Sequence, residues 1–497
     1  MRNSSAPEIR PSFADILILL PEGIHLALSD PLLSGGEIAA QVRSRSVSPV
    51  EIARLHLDRI ELLNPKLNAF VDCQPENVLA QARQAEEAVQ RGDSLGPLHG
   101  VPVSIKSSID VRGHRCEAGT RLRAGYTAAD DAPLVSRLRA AGAIILGVTN
   151  TPELLMAWES DNVLYGRTNN PWDLSRTAGG SSGGESAAIA AGLSVAGVGS
   201  DGGGSIRVPA HFCGICGLKP TPGRIPITGH FPKSGGPFAF IGAVGPMART
   251  IPDLSAMFAV MAGPDDGDPS SARVDLREVV EEESRQVHIG FFEDDGRTPV
   301  TKETRAAVKR AAALLSESGF RIEEFRPEGL EDARQYWWKF FGTAGGMILT
   351  PMLRGHEKEL SPTFREFFLW TSAEPAHTGE SLLTTWLRRD ELRENILRQM
   401  RKYPVLICPT AAIPAFRHGE REWTVDGKTV KYLDAWSYCE WFNLLGFPAV
   451  VVPIGLSEEG LPIGIQIVGR PWEEETILAI AAILEKASGP LHAAPQL

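Results

Sequence analysis

Cysteine is scarce in this chain: six in 497 residues, at positions 73, 116, 213, 216, 408 and 439. So few, so widely scattered, exclude the disulfide framework of a small secreted scaffold. Cys213 and Cys216 do make a C-x-x-C, but a redox or zinc role calls for helix context or a second cysteine pair, and the sequence offers neither. The expectation is packed, reduced thiols. Basic excess is missing as well. The formal net charge is −11, and no Lys/Arg block exceeds a pair such as Arg388-Arg389, which argues against nucleic acid as a partner. No apolar run approaches the ~20 residues of a membrane span. The stretch Ile16–Leu20 follows Asp15 and meets Pro21-Glu22 instead of a small-residue cleavage site, so it does not read as a signal peptide. Residues 1–30 are expected to form a surface extension, and the protein to be cytoplasmic.

What is present is the material of a large core: 43% hydrophobic residues against 22% charged. Residues 36–63 carry a helical pattern through Ile38, Val42, Ile52, Leu55, Ile60 and Leu63, with Ser48 as N-cap before Pro49. A second helix is expected from Pro75 to Arg91. Val101–Ile105 then reads as a short strand ending at Lys106. The theme returns at 132–150, with an amphipathic helix stopped by Gly142 and an apolar strand Ala143–Gly147. Further apolar strands are expected at Val287–Phe291, Pro404–Cys408, Ala449–Val452 and Gly464–Val468. Helix and buried strand in repeated alternation predict an α/β fold: one large domain, 31–490, with a mixed β-sheet covered by helices on both faces.

Residues 175–225 differ from the rest, being dense in Gly, Ser and Ala and poor in charge. Ala187–Ala191 still reads as helix and Val195–Val198 as strand, so this is no flexible linker; glycine held inside a core marks close backbone approach. Two short motifs fall here. Gly179-Gly180-Ser181-Ser182-Gly183 satisfies the G-x-S-x-G of a nucleophile elbow, which needs a strand before it, and 171–177 does not read as one. Gly197–Gly202 satisfies G-x-G-x-x-G and would suggest a nucleotide-binding oxidoreductase. That fingerprint must open a helix, and Pro209 is a poor guest so early in one.

Taken whole, Thr177–Arg224 (TAGGSSGGESAAIAAGLSVAGVGSDGGGSIRVPAHFCGICGLKPTPGR) resembles the signature of the amidase signature family. His99–Lys106 (HGVPVSIK) is similar to that family's lysine strand, and Phe442–Ala449 with Gly464–Gly469 to its C-terminal strand pair. The resemblance covers most of residues 30–490, with a signature core at 95–230. It implies an amide-bond hydrolase, with esters or carbamates as further substrates, that uses no metal or organic cofactor. Its Ser–Ser–Lys triad falls on Ser205, Ser181 and Lys106, separated by 75 and 24 residues. Ser205 would form the acyl-enzyme and Ser181 would relay its proton to Lys106, while a cis peptide bond precedes Ser181. A serine hydroxyl is a weak nucleophile and needs such a base, and a lysine serves only where burial favours its neutral amine. The N–H groups of Gly202, Gly203, Gly204 and Ser205, unobstructed by side chains, would form an oxyanion hole.

Other residues here carry plainer readings. Asp201 and Arg207 are expected to be a structural pair fixing the loop. His211 lacks an acidic orienter, so a Ser–His arrangement ranks below the lysine one. Three positions depart from the family pattern: Ser107-Ser108 follow Lys106 where an acidic residue is common, Gly202 replaces a frequent threonine, and Glu185 stands where many members have serine. Glu185 and the stretch 212–217 are similar to the fatty acid amide hydrolase branch. Aromatics concentrate in 326–440, where the family shapes its pocket, so the expected partner is a small amide with an apolar or aromatic group. The rival reading within the family is the glutamine-hydrolysing component of a tRNA amidotransferase. A homodimer is compatible with the sequence.

Overall fold

The alternation of helix and apolar strand closes into one mixed sheet of eleven strands. The computed structural model describes residues 33–233, 235–373 and 375–489, with Leu491 and Pro495; the expected extension at 1–30 lies outside the described residues. In chain order the strands are Phe70–Cys73 (β1), Pro102–Lys106 (β2), Ile144–Thr149 (β3), Ala196–Asp201 (β4), Cys216–Lys219 (β5), Ala243–Ala248 (β6), His288–Phe291 (β7), Arg321–Glu324 (β8), Val405–Pro409 (β9), Ala449–Leu456 (β10) and Pro462–Val468 (β11). Across the sheet they run β1-β3-β2-β4-β6-β5-β10-β11-β9-β7-β8. Strand β2 lies parallel to both β3 and β4, so Lys106, Thr149 and Asp201 all reach the same edge. The carboxyl ends of parallel strands are where open α/β sheets place their sites.

Both faces are buried, and the strands show it by sending alternate residues to different cores. Val450 and Val452 join one cluster while Val451 joins another. Val405 and Ile407 likewise part from Leu406 and Cys408. The helices Pro133–Ala140, Ile251–Met261, Lys302–Glu317 and Glu474–Ser488 contribute to the first cluster. Gly183–Ala190 and Arg207–Cys213 contribute to the opposite one.

Local chemistry sets most boundaries. The helical pattern at 36–63 is two helices, Gly35–Arg43 and Pro49–Leu67; Ser48 caps the second by accepting from Val50 N, with Pro49 in its first turn. The helix expected at 75–91 is present with those bounds. Two readings need correction. Asp173–Thr177 is a strand after all, but it pairs with Asn169-Asn170 in a ribbon outside the main sheet and bridges to Arg417. A helix does open after the glycine turn, at Arg207, with Pro209 inside it. Proline is tolerated there because the first-turn N–H groups have no intrahelical partner. The G-x-G-x-x-G run nevertheless forms no phosphate loop, since Gly197–Asp201 lie within β4.

The aromatic region 326–440 folds as helices over residues 333–399, then strand β9 and a small hairpin of Glu422–Val425 with Lys428–Lys431, and most of its rings are core. Trp337, Phe340 and Trp436 are buried with Trp158, Phe212 and Trp441 in one cluster. Among the described residues of this region, Phe341, Ile348 and Leu349 line the cavity described next.

Candidate active site

Lys106 ends β2 with its side chain fully buried. Its Nζ lies 2.6 Å from Ser181 Oγ, 3.1 Å from Ser182 Oγ and 3.0 Å from Ser200 Oγ. Burial pushes the amine down to about 7, against the opposing pull of Asp201 and Glu185. An amine that releases its proton near neutrality, in contact with a hydroxyl, can act as a base.

Ser181 follows a cis Gly180–Ser181 peptide bond, as the resemblance implied. Thr151 Oγ1 donates to the Ser181 carbonyl at 2.7 Å. Ser182 N donates to the Ser205 carbonyl at 3.1 Å, which ties the double-serine loop to the glycine turn. Ser182 and Glu185 fit against β4 because that strand presents glycines to them: a Cβ on Gly199 would sit 2.7 Å from Ser182 Oγ, and one on Gly197 1.9 Å from Glu185 Oε2.

Ser205 and Ser181 line one cavity. The Ser205 hydroxyl makes no hydrogen bond to any described residue, so the structure joins Lys106 to Ser181 directly and brings Ser205 beside them without a bond. In the glycine turn, Gly204 N donates to Asp201 Oδ1 at 2.7 Å. That N–H is taken up by the carboxylate, which narrows the four expected donors to Gly202, Gly203 and Ser205, whose N–H groups donate to no described residue.

Asp201 and Arg207 take the structural role expected of them. The guanidinium meets both carboxylate oxygens at 3.0 Å and also donates to Gln466 Oε1 and the Cys439 carbonyl. Burial opposes the Asp201 charge, but Arg207 outweighs it and holds the carboxyl well below the usual range. His211 is turned elsewhere, its ring nitrogens 3.0 Å from the Gly464 carbonyl and 3.1 Å from that of Ile413. The six thiols are free, and Cys213 donates weakly to the Ala178 carbonyl.

Sequence reasoning missed two residues that hold the turn. Trp158 Nε1 donates to the Gly203 carbonyl and Trp337 Nε1 to the Gly202 carbonyl, each at 2.8 Å. With those carbonyls fastened outward, the intervening amides are fixed in direction. No local motif marks either tryptophan; they are 45 and 135 residues from their acceptors. The cavity wall was equally hidden, since Leu155, Met156, Ile227, Phe238, Phe341 and Leu349 come from separate segments. His230 and Lys233 add polar edges to it.

The family model described as Amidase matches residues 51–478. This chain belongs to the amidase family. Among amidase-family relatives, it is 34% identical over 466 residues to an indoleacetamide hydrolase of Bradyrhizobium diazoefficiens, covering 92% of this chain and 87% of that protein. It is 36% identical over 462 residues to an acylamidase of Rhodococcus erythropolis, covering 91% of this chain and 95% of that protein. The solved structure of a bacterial aryl acylamidase of the amidase signature family superposes with a TM-score of 0.81 at 27% identity, covering 92% of this chain and 96% of that one. No described helix of this amidase-family chain is long and apolar enough to cross a membrane.

Proposed function

We propose that this protein hydrolyses small carboxamides bearing an apolar or aromatic group, through an acyl-enzyme on Ser205. The observation that carries the reading is the buried Lys106 Nζ within 2.6 Å of Ser181 Oγ, a serine that lines one cavity with Ser205. Ser205 Oγ attacks the substrate carbonyl carbon while its proton passes to Ser181 Oγ, whose own proton moves to Lys106 Nζ. The oxyanion is received by the N–H groups of Gly202, Gly203 and Ser205. Lys106 returns the proton through Ser181 to the leaving nitrogen as the C–N bond breaks. Water, deprotonated by the same relay, then opens the ester and frees the carboxylate. The Ser205–Ser181 contact closes on substrate binding, as catalytic hydrogen bonds in empty sites commonly do.

The apolar preference rests on the cavity wall, where Leu155, Met156, Ile227, Phe238, Phe341 and Leu349 face the serines. Each methylene buried there contributes about 0.8 kcal/mol. Glutamine would need a cation for its α-carboxylate; Arg207 is committed to Asp201, Gln466 and Cys439, which leaves Lys233 at the cavity edge as the cation it would have to use. Free thiols at all six cysteines suit the reducing cytoplasm. The test is kcat/KM across amides from acetamide to hexanamide and across aryl amides, with glutamine alongside. The expected result is a steep rise with acyl or aryl size until the cavity is full. A flat series, or a preference for glutamine, would favour the amidotransferase reading instead.

A further inference from the structure

The mechanism above leaves one buried acid unused. Glu185 sits on the helix Gly183–Ala190 with no exposure to solvent. Its Oε2 accepts from Ser104 Oγ at 2.6 Å and its Oε1 from Thr149 Oγ1 at 2.7 Å. Ser104 lies two residues before Lys106, on the same face of β2, and Thr149 stands opposite Lys106 in the β2–β3 pairing. The carboxyl group is thus clamped between the two neighbours of the lysine, in space that Gly197 leaves open: a Cβ there would lie 1.9 Å from Oε2. Among the described residues it has no ion-pair partner within 4.0 Å. A buried carboxyl held only by neutral hydroxyls is costly unless a nearby cation or a proton neutralises it. The cation that acts on it is Lys106.

We propose that Glu185 is a positioning residue for the reaction: its carboxylate balances the ammonium that forms on Lys106 when the serine proton arrives, and so strengthens Lys106 as a base. The inference rests on the Ser205–Ser181–Lys106 reading. Its physical content is a matched pair. In the state that accepts the serine proton, Lys106 is a neutral amine beside the Glu185 carboxylate; once the proton arrives, ammonium and carboxylate together carry no net charge. Burial pushes Glu185 up to about 7 and Lys106 down to about 7, while the charge of each favours the charged form of the other. Coupled groups of this kind titrate as a pair. The other charged or titratable groups nearby have engagements of their own. Asp201 on β4 is paired with Arg207 and feels Lys219. His230, from the loop over the cavity, binds the Pro232 carbonyl and is held down to about 4 by burial and by Lys106. On the helix packed against that of Glu185, His211 contacts the Gly464 and Ile413 carbonyls, and Cys213 that of Ala178.

Glu185→Gln keeps the shape and removes the charge; whichever of Ser104 and Thr149 meets the new NH2 can rotate its hydroxyl to accept from it, while the other goes on donating to the amide oxygen. Glu185→Ser is the second variant. The pH dependence of kcat/KM is measured for both, for the unaltered enzyme and for Lys106→Ala, on an anilide and a phenyl ester of one acyl group, with thermal unfolding alongside. Losing the carboxylate makes Lys106 a weaker base, so its acid limb moves to lower pH by about one unit. The high-pH plateau for the anilide falls about tenfold, and that for the ester much less. A residue that merely anchors the helix would lower stability and leave the limb in place. Folded variants with an unmoved acid limb overturn the proposal. Should neither variant fold, the carboxyl stretch of the unaltered protein is followed by infrared titration against Lys106→Met. The buried carboxyl is expected to titrate at higher pH without its cation, and an unchanged titration overturns the proposal too. Failure of the underlying reading looks different: Lys106→Ala would then keep its anilide activity, whatever the Glu185 variants do.

Discussion

At the scale of single residues, the proposed mechanism turns on making a lysine behave as a base. Lys106 is buried among hydroxyls, with Ser181, Ser182 and Ser200 within 3.1 Å of its Nζ. None of these carries a charge, so burial dominates and brings the amine down to about 7. The sign of the pH dependence follows. Only the neutral amine accepts a proton, so kcat/KM should rise as pH passes upward through about 7 and fall away below it. Lys106→Ala should cost about 10²- to 10⁴-fold on amides. Esters should lose less, because an alkoxide or phenolate departs without the proton that an amine requires. Parallel kinetics on an amide and an ester of the same acyl group check this, and equal losses on both would count against proton delivery through Lys106.

At the scale of elements, the glycine turn after β4 is held by side chains remote in sequence. Asp201 takes up the Gly204 and Ile206 amides from inside the turn, and Trp158 and Trp337 bind the outer carbonyls of Gly203 and Gly202. Trp337 also stacks on Phe341, with ring centroids 4.6 Å apart, so one residue supports both the turn and the cavity wall. Trp337→Phe keeps the ring and removes the N–H, a loss of about 1 kcal/mol in hydrogen bonding. The turn loosens, and kcat should fall several-fold with KM little changed; unaltered kcat would separate Trp337 from the positioning of the amides. These anchors are invisible in the sequence for a physical reason. Lys106, Ser181 and the glycine run declare themselves because their chemistry requires particular residue types at short range. Trp158 and Trp337 are recruited by packing, and a tryptophan in an apolar cluster looks the same whether or not its N–H holds a catalytic loop. The helix at Arg207 escapes the sequence pattern for a related reason: Pro209 is penalised inside a helix but not in its first turn.

At the scale of the whole molecule, the sheet brings three distant segments to one edge. Parallel β3, β2 and β4 end together at Thr149, Lys106 and Asp201. The loops leaving that edge carry the serines, and the helices of 333–372 close the cavity above them through Phe341, Ile348 and Leu349. Fold class and seven of the eleven strands were legible because both cores impose period-two burial on apolar strands, as at Val450, Val451 and Val452, whereas β1, β5, β6 and β8 were not read from the sequence. The aromatic wealth of 326–440 was a weaker guide to substrate, since most of those rings serve the core. The central claim is that Ser205, and not Ser181, becomes acylated, because Ser181 is already engaged by Lys106 while the Ser205 hydroxyl is unbonded in the cavity. The direct measurement is to react the protein with a fluorophosphonate and locate the adduct by intact mass and peptide mapping, in the unaltered enzyme and in Ser205→Ala. The account predicts a single adduct on Ser205, with neither label nor turnover in Ser205→Ala. An adduct on Ser181, with Ser205→Ala still turning over amides, would contradict it.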